Sequence, residues 1–439
     1  MNYSKNDIIL KKDVKLPLLI FLFFFLIFVS TNGGHLDQYD GTSAFLMTEN
    51  FVLNGSPYFI STDSPSLEKT KFPIENHIKI QGTMRADSEF QRNESVYLAQ
   101  NLTKSQFIEK YLDEINKEEF PNGNYLVLPI LASPLYLIST SLNFEPIYFV
   151  PLFLNSIITA VSCVIVYLIV KNSFKSQKIG FVSSLIFGVT SFILPYIGTM
   201  LPRPLGILFL LLSILLILYQ RDKNKNIIPI LAGISIGFMF LTNFWFFIFL
   251  PAILIFGIYE FRSNKKQIFV FILSVVLMIG LQGYVNYERF GMINEFGIGS
   301  NNTADFFENL SIEGIIGYII SPGRSILLYF PIIILYPVSL FYLYKHDKSL
   351  ALLFLYFSLT GFLFTAFSHR WDLTQWGSHR YHLVLIPIVS ISIASIISKY
   401  SNDFKIKLGI IGLSTIGFFV NIFGSLAGYE NALNYALKV

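Results

Sequence analysis

The sequence contains one cysteine and few charged residues, and each scarcity excludes some classes of protein. Cys163 is the single cysteine in 439 residues, so an intrachain disulfide is impossible and no thiol chemistry is indicated. Charged residues make up 14% of the chain, whereas soluble domains carry about 25%. Hydrophobic residues reach 53% and aromatic residues 16%, which is typical of lipid-facing surfaces. No basic stripe interleaved with aromatics appears, which argues against nucleic-acid binding. The composition predicts an integral membrane protein.

The long apolar runs lack ionisable residues. Eleven runs are candidates for membrane spans, at about 16–31, 147–170, 179–197, 205–219, 227–243, 244–260, 267–285, 326–344, 349–367, 381–398 and 408–426. No Asp, Glu, Lys, Arg or His lies well inside any of them. Ion-coupled transporters usually need carboxylates or broken helices near the midplane. The absence therefore argues against that class and places any chemistry at the membrane surface.

Basic residues in the loops predict the orientation. Clusters at 171–178, 221–225, 262–266, 345–348 and 399–407 fall on one side if the later runs alternate. Short cytoplasmic loops are rich in Lys and Arg, so this side and the N-terminus are predicted cytoplasmic, and the C-terminus extracytoplasmic. A further apolar stretch, 124–140, carries Pro129 and Pro134. If it crossed, every later cluster would be reversed, so we predict a juxtamembrane or re-entrant segment.

The expected fold is therefore an all-α polytopic membrane protein with about 11 transmembrane helices in a single domain, 1–439. Residues 32–146 form a long first extracytoplasmic loop carrying juxtamembrane helices, and residues 286–325 form a second external loop. The first run also fits a cleaved signal peptide, but no A-x-A-like site follows it. Cleavage would leave the orientation of the rest unchanged.

Arginine and lysine divide between the two predicted sides. Lysine predominates on the cytoplasmic side. The external basic residues beyond the first loop are arginines until the C-terminal tail: Arg203, Arg289, Arg324, Arg370 and Arg380. Arginine binds phosphate bidentately and is less strongly hydrated than lysine, so this set predicts a site for an anionic lipid headgroup. The alternative is that each arginine pairs with a loop acid such as Glu288 or Asp372.

The segment SHRWDLTQWGSHRYHLVLIP at 368–387 is the densest group of polar side chains. His379 and Arg380 are candidates for hydrogen bonding to phosphate. Trp371 and Trp376 are typical of interfacial anchors. The histidines lack the spacing of a zinc site, so the segment predicts no metal centre.

Two carboxylates, Asp37 and Asp40, directly follow the first run. Asp40 precedes SAFLMTENFVL, a stretch that suits a helix lying in the membrane interface. Taken alone, Asp40 is either the N-cap of that helix or a general base acting on an acceptor hydroxyl. A further set of external acids is either solvated or able to bind a divalent cation, which leaves such a cofactor open: Glu295, Asp305, Glu308 and Glu313.

The chain resembles the GT-C superfamily of membrane glycosyltransferases, in its protein O-mannosyltransferase-like and aminoarabinose-transferase-like branch. Those proteins begin with one span and a loop whose early Asp opens a pattern close to D-x3-Y-x2-A-x2-L-x3-G. The corresponding residues here are Asp40, Phe45, Thr48, Phe51 and Gly55, followed by Pro57 and Tyr58. The segments PNGNYLVLPILASPLY (121–136), NYERFG (286–291), SPGRSILLYFP (321–331) and WGSHRYHLVLIP (376–387) are similar to later family motifs. Many relatives have an acidic residue directly after the Asp, where this chain has Gly41.

The resemblance implies transfer of a sugar from a polyprenyl-phosphate carrier to a glycan, lipid or protein acceptor on the outer face of the cell membrane, with inversion. It places the base at Asp40, with Asp37 as support or substitute. It places the phosphate near Arg324 and Arg380, and the external bias adds Arg203 and His379. Two other classes remain: a lipid or glycan flippase or scaffold, which would need a polar path between the spans, and a glycan ligase or polymerase.

Overall fold

The computed structural model describes residues 5–32, 34, 36, 39–61, 64–66, 69, 90, 103–114, 119–121, 126–221, 225–294, 296, 312–321, 324–367 and 380–426. The α-helices of this part are α1 (Lys5–Thr31), α2 (Tyr39–Asn54), α3 (Lys104–Glu114), α4 (Val127–Ser141), α5 (Pro146–Phe174), α6 (Gln177–Gly188), α7 (Ile193–Tyr196), α8 (Arg203–Gln220), α9 (Ile227–Thr242), α10 (Leu250–Glu260), α11 (Lys265–Phe290), α12 (Glu313–Ile320), α13 (Ile326–Tyr329), α14 (Tyr336–His346), α15 (Lys348–Ala366), α16 (Leu385–Lys399) and α17 (Phe404–Leu426). Short 3₁₀ helices lie at Ile197–Thr199, Phe244–Phe249, Pro331–Leu335 and Arg380–Val384. The prediction of an all-α membrane protein is confirmed.

Six helices among the described residues are long and apolar enough to cross a membrane: α5, α8, α11, α15, the helical segment His382–Lys399, and α17. The pair formed by α6 and Ile193–Thr199 makes a seventh if its 63° bend lies within one span. The remaining predicted runs also contain helix, in shorter or interrupted pieces. The count of eleven spans stays a prediction.

The core of the bundle surrounds α5, whose 29 residues extend about 44 Å. α1, α6 and α8 pack against it. α11 and α17 lie at the periphery, with most of their apolar side chains exposed. Exposed apolar surface of this extent suits a lipid environment.

One end of the bundle, which we call the basic end, gathers the loops that carry the basic clusters. Arg221, just after α8, donates to Glu260 at the end of α10 and to Asp347, which precedes α15. The ring of His346, at the end of α14, stacks on Phe174 at the end of α5, with centroids 4.6 Å apart. These contacts bring the loops near 174, 221, 260 and 347 to one end of the bundle, and the cytoplasmic placement of the clusters stays a prediction.

Asp347 provides a test of this end. Its carboxylate caps α15 by accepting from the backbone N–H of Leu350 at 3.1 Å. Burial raises the pKa of Asp347, but the hydrogen bonds and charge of Arg221 outweigh it, so the pKa lies below its ordinary value. A lowered pKa in the folded state stabilises the fold above the ordinary pKa of an unfolded carboxyl, about 4, and this stabilisation is lost as pH falls through the folded pKa.

We expect Asp347→Asn to lower the free energy of unfolding by about 1 kcal/mol at pH 7, because asparagine still caps a helix but does not pair with a guanidinium. Thermal unfolding in detergent measures the change, and the difference from wild type should shrink below about pH 4. Asp403→Asn is the control, since Asp403 caps α17 through the N–H groups of Lys405 and Ile406. Equal melting temperatures for the two variants would contradict the prediction.

The first loop folds onto the opposite end of the bundle. Residues 41–50 of α2 are all buried, and α2 packs on α4. Phe45 lies 6.2 Å from Tyr136 between ring centroids. A two-stranded antiparallel sheet of β1 (Phe59–Ser61) and β2 (Glu119–Pro121) follows, with Ile60 opposite Phe120. The apolar face of α2 thus packs against protein, and its place at the membrane interface stays a prediction.

Candidate active site

An ion pair joins two residues that are 340 positions apart in the chain. Nη1 of Arg380 donates to Oδ2 of Asp40. Each side chain keeps 22% of its surface exposed, so the pair is shielded yet open to solvent. Asp40 lies in the first turn of α2, which begins at Tyr39, and so it is not the N-cap. A carboxylate there is favoured by the positive end of the helix dipole.

The second arginine of the site begins α8. Arg203 is buried, with 4% of its surface exposed, and Pro204 follows it in the first turn. Arg203 and Arg380 line the same cavity. The remaining walls are mainly apolar and aromatic: Ile207, Asn243, Trp245, Phe246, Ile248, Phe249, Gly361, Phe364, Leu383 and Val384. Two guanidinium groups thus belong to one apolar cavity, and one of them contacts Asp40.

The site lies far from the basic end. Arg203 is the first residue of α8 and Arg221 follows its last residue. Eighteen helical residues separate the two ends by about 27 Å. Asp40, Arg203 and Arg380 therefore share what we call the site end. The prediction that the first-loop carboxylate and the external arginines lie on one side agrees with this geometry.

The other predicted residues divide into two groups. Arg324 follows α12, is 8% exposed and does not line the cavity among the residues described; its N–H donates to the carbonyl of Ser321 at 3.0 Å. Asp37 and His379 lie outside the described residues. For Arg380 the loop-acid alternative holds in part, because its carboxylate partner is Asp40, an acid of the predicted first external loop.

No group of three or more metal-ligating side chains occurs within the residues that the structure describes. Of the external acids considered as cation ligands, Glu313 begins α12. Three others lie outside the described part of the chain: Glu295, Asp305 and Glu308. A divalent cation as cofactor therefore stays a proposal.

Gly41 explains how α2 approaches the bundle so closely. A Cβ atom at this position would overlap the backbone carbonyl oxygen of Thr199. Thr199 ends the 3₁₀ helix that follows the bent pair α6 and α7. The acidic residue that many relatives carry after the Asp cannot fit here without moving α2. The contact fixes the first turn of α2, and with it Asp40.

We expect Gly41→Ala to destabilise the fold by about 1–3 kcal/mol and to displace Asp40 from Arg380, because the added methyl group meets backbone rather than a flexible side chain. Thermal unfolding and sugar transfer measure the two effects. Gly280→Ala is the matched control, since nothing lies within 4 Å of a Cβ at that helical position. Retention of wild-type stability by Gly41→Ala would contradict the contact.

A second carboxylate of α2 is buried and was not predicted. Glu49 has 1% of its surface exposed. It accepts hydrogen bonds from the hydroxyl of Ser64 and from the N–H and hydroxyl of Ser66, the latter two at 3.2 and 2.7 Å. The phenol of Tyr136 on α4 donates to it at 3.0 Å. The only signal in the sequence is an acidic residue inside an apolar stretch. Glu49 ties α2 to the loop after β1 and to α4.

One family of known proteins matches part of the chain. Residues 127–282 match the model of the dolichyl-phosphate-mannose-protein mannosyltransferase family. This segment runs from α4 into α11, so it includes Arg203 but excludes Asp40 and Arg380. No curated protein matches the chain.

Among solved structures, the chain is similar to the archaeal oligosaccharyltransferase AglB from Archaeoglobus fulgidus, determined with an inhibitory peptide and a dolichol-phosphate. The likeness covers 96% of this chain and 56% of that one, at 11% identity and a TM-score of 0.47. This chain thus spans little more than half the length of that protein. Over residues 127–282 the family match agrees with the resemblance to protein O-mannosyltransferases that the sequence motifs indicate.

Proposed function

We propose that the chain is a glycosyltransferase that moves a sugar from a polyprenyl-phosphate carrier to an acceptor hydroxyl at the extracytoplasmic surface of the cell membrane. The observation that carries the proposal is the pairing of Asp40 with Arg380, which lines the same cavity as Arg203. The family match over 127–282 supports the same class of donor.

The residues that line the cavity have the chemistry to bind a lipid phosphate. Its apolar and aromatic walls, among them Trp245 and Phe364, provide a surface for isoprenyl groups. Its two arginines supply forked donors that fit phosphate oxygens. Arg203 lies at the N-terminus of α8, where the helix dipole also favours an anion. A phosphate bound there would orient its attached sugar toward Asp40.

The reaction follows as a single displacement. The carboxylate of Asp40 takes the proton of the acceptor hydroxyl while that oxygen forms a bond to the anomeric carbon. The bond between the anomeric carbon and the carrier phosphate breaks, and its electron pair leaves with the phosphate. Arg203 and Arg380 stabilise the departing charge. Attack opposite the leaving group inverts the anomeric configuration.

In this scheme Arg380 interacts with two anions, the carboxylate of Asp40 and the carrier phosphate. Its Nη1 contacts Asp40. A phosphate in the cavity competes for the same guanidinium, which presents five N–H donors in one plane. Donor binding would then loosen the ion pair and release Asp40 to accept a proton.

The test uses purified protein in liposomes with a panel of polyprenyl-phosphate hexoses and pentoses, and it measures release of free polyprenyl phosphate. We expect turnover with at least one lipid donor and none with nucleotide sugars. NMR of the product reports the anomeric configuration, which should be inverted. Mass spectrometry of lipid-linked sugars in a deletion strain identifies the donor that accumulates. Lipid translocation without release of polyprenyl phosphate would overturn the proposal in favour of a flippase.

A further inference from the structure

A fully buried histidine lies two residues after Arg380. His382 has no exposed surface. Its Nε2 shares a hydrogen bond with Oγ1 of Thr365 on α15. Its ring stacks on Phe362, with centroids 5.5 Å apart and planes at 17°. The ring of Tyr318 meets it edge-on at 4.4 Å and 76°. The imidazole is thus held by a polar contact and two aromatic contacts.

These contacts connect the elements that carry two arginines. His382 belongs to the 3₁₀ helix Arg380–Val384, whose first residue pairs with Asp40. Tyr318 belongs to α12, which ends just before Arg324. The residues on either side of the imidazole contribute to the cavity as well, since Leu383 and Val384 line it. His382 itself is not among the described residues that line the cavity.

The 3₁₀ helix continues directly into α16, which holds its C-terminal end. Because a 3₁₀ helix of five residues has few hydrogen bonds of its own, side-chain contacts add to the anchoring of its first turn, which carries Arg380. Leucine or phenylalanine would fill the same space between Phe362 and Tyr318. The histidine adds a directional contact to Thr365, which restrains rotation of the turn about its axis. Rotation of this turn moves the guanidinium of Arg380 relative to Asp40.

We propose that His382 is a positioning residue that, through its bond to Thr365, sets the place of Arg380 for the carrier phosphate. The inference rests on the proposed function and deepens it, because it assigns control of donor binding to a residue outside the cavity.

The test compares two variants that remove the bond from opposite sides. His382→Phe keeps the aromatic packing and Thr365→Val keeps the histidine. Each should weaken binding of a polyprenyl-phosphate sugar about 3- to 10-fold, as expected for loss of one buried hydrogen bond. Ser358→Ala on the same helix is the control, because its hydroxyl bonds Tyr336, 3.0 Å away and on another helix. We expect donor affinity of this control to equal that of wild type.

A double-mutant cycle separates positioning from general stability. In an Arg380→Gln background, Thr365→Val should weaken donor binding no further, because the group it positions is gone. Additive losses, or wild-type donor affinity in both single variants, would overturn the inference while leaving the transferase activity intact. Absence of donor binding by the wild-type protein would overturn the proposed function together with it.

Discussion

Replacing Asp40 with asparagine is expected to lower the rate of sugar transfer by about 10²- to 10⁴-fold, the range typical of a lost general base. Asparagine has nearly the same size but accepts no proton at neutral pH. Binding of the lipid donor should persist or become tighter, because the carboxylate of Asp40 no longer competes for Arg380. Single-turnover transfer and donor-binding measurements on the same preparation resolve the two effects.

Asp403→Asn provides the control for this prediction. Asp403 lies just before α17 and accepts from two backbone N–H groups in the first turn of that helix. Its replacement should leave both transfer and donor affinity unchanged. Transfer by Asp40→Asn at close to the wild-type rate would show that a different carboxylate is the base, and Asp37→Asn is then the variant to measure.

Replacing Arg380 with glutamine is expected to weaken donor binding by at least about 30-fold, since truncating one partner of a partly buried charge contact costs about 2 kcal/mol or more. The substitution also removes the guanidinium group that pairs with Asp40. Lysine at this position should restore part of the affinity, because it keeps the charge but not the planar fork. Titration with polyprenyl phosphate measures the effect without requiring turnover.

Arg262→Gln is the matched control for Arg380. The guanidinium of Arg262 stacks on the ring of Tyr259, 3.8 Å from its centroid, at the basic end. Removing it should not change donor affinity. If both substitutions weaken binding equally, the effect is one of overall charge, and the assignment of Arg380 to the phosphate is incorrect.

The charges and apolar runs of the sequence predict more of the site than is usual for residues so far apart. Asp40 and Arg380 lie at opposite ends of the chain, yet the parity of the runs puts them on one side, and the structure brings them into contact. The basic clusters likewise predict which helix ends meet. Both predictions depend on the order in which the apolar runs alternate between the two sides, and this order follows from counting the runs.

Contacts within the protein could not be predicted in this way. The apolar face of α2 fits the interface as well as it fits α4, because periodicity does not distinguish lipid from protein. The role of Gly41 depends on Thr199, a residue more than 150 positions away, and that of His382 depends on Thr365 and Tyr318. The sequence distinguishes Arg203 only by its predicted position on the extracytoplasmic side. The cavity that it lines depends on the end of α9 before the 3₁₀ helix Phe244–Phe249, which the apolar pattern does not reveal.

The 63° bend between α6 and Ile193–Thr199 has a mechanical consequence. The bent segment ends at Thr199, whose carbonyl rests against Gly41 with no side chain between them to absorb movement. Bilayer thickness influences how far a membrane helix tilts. We therefore expect a tilt of the segment Ile193–Thr199 to move the first turn of α2 and, with it, Asp40 relative to Arg380.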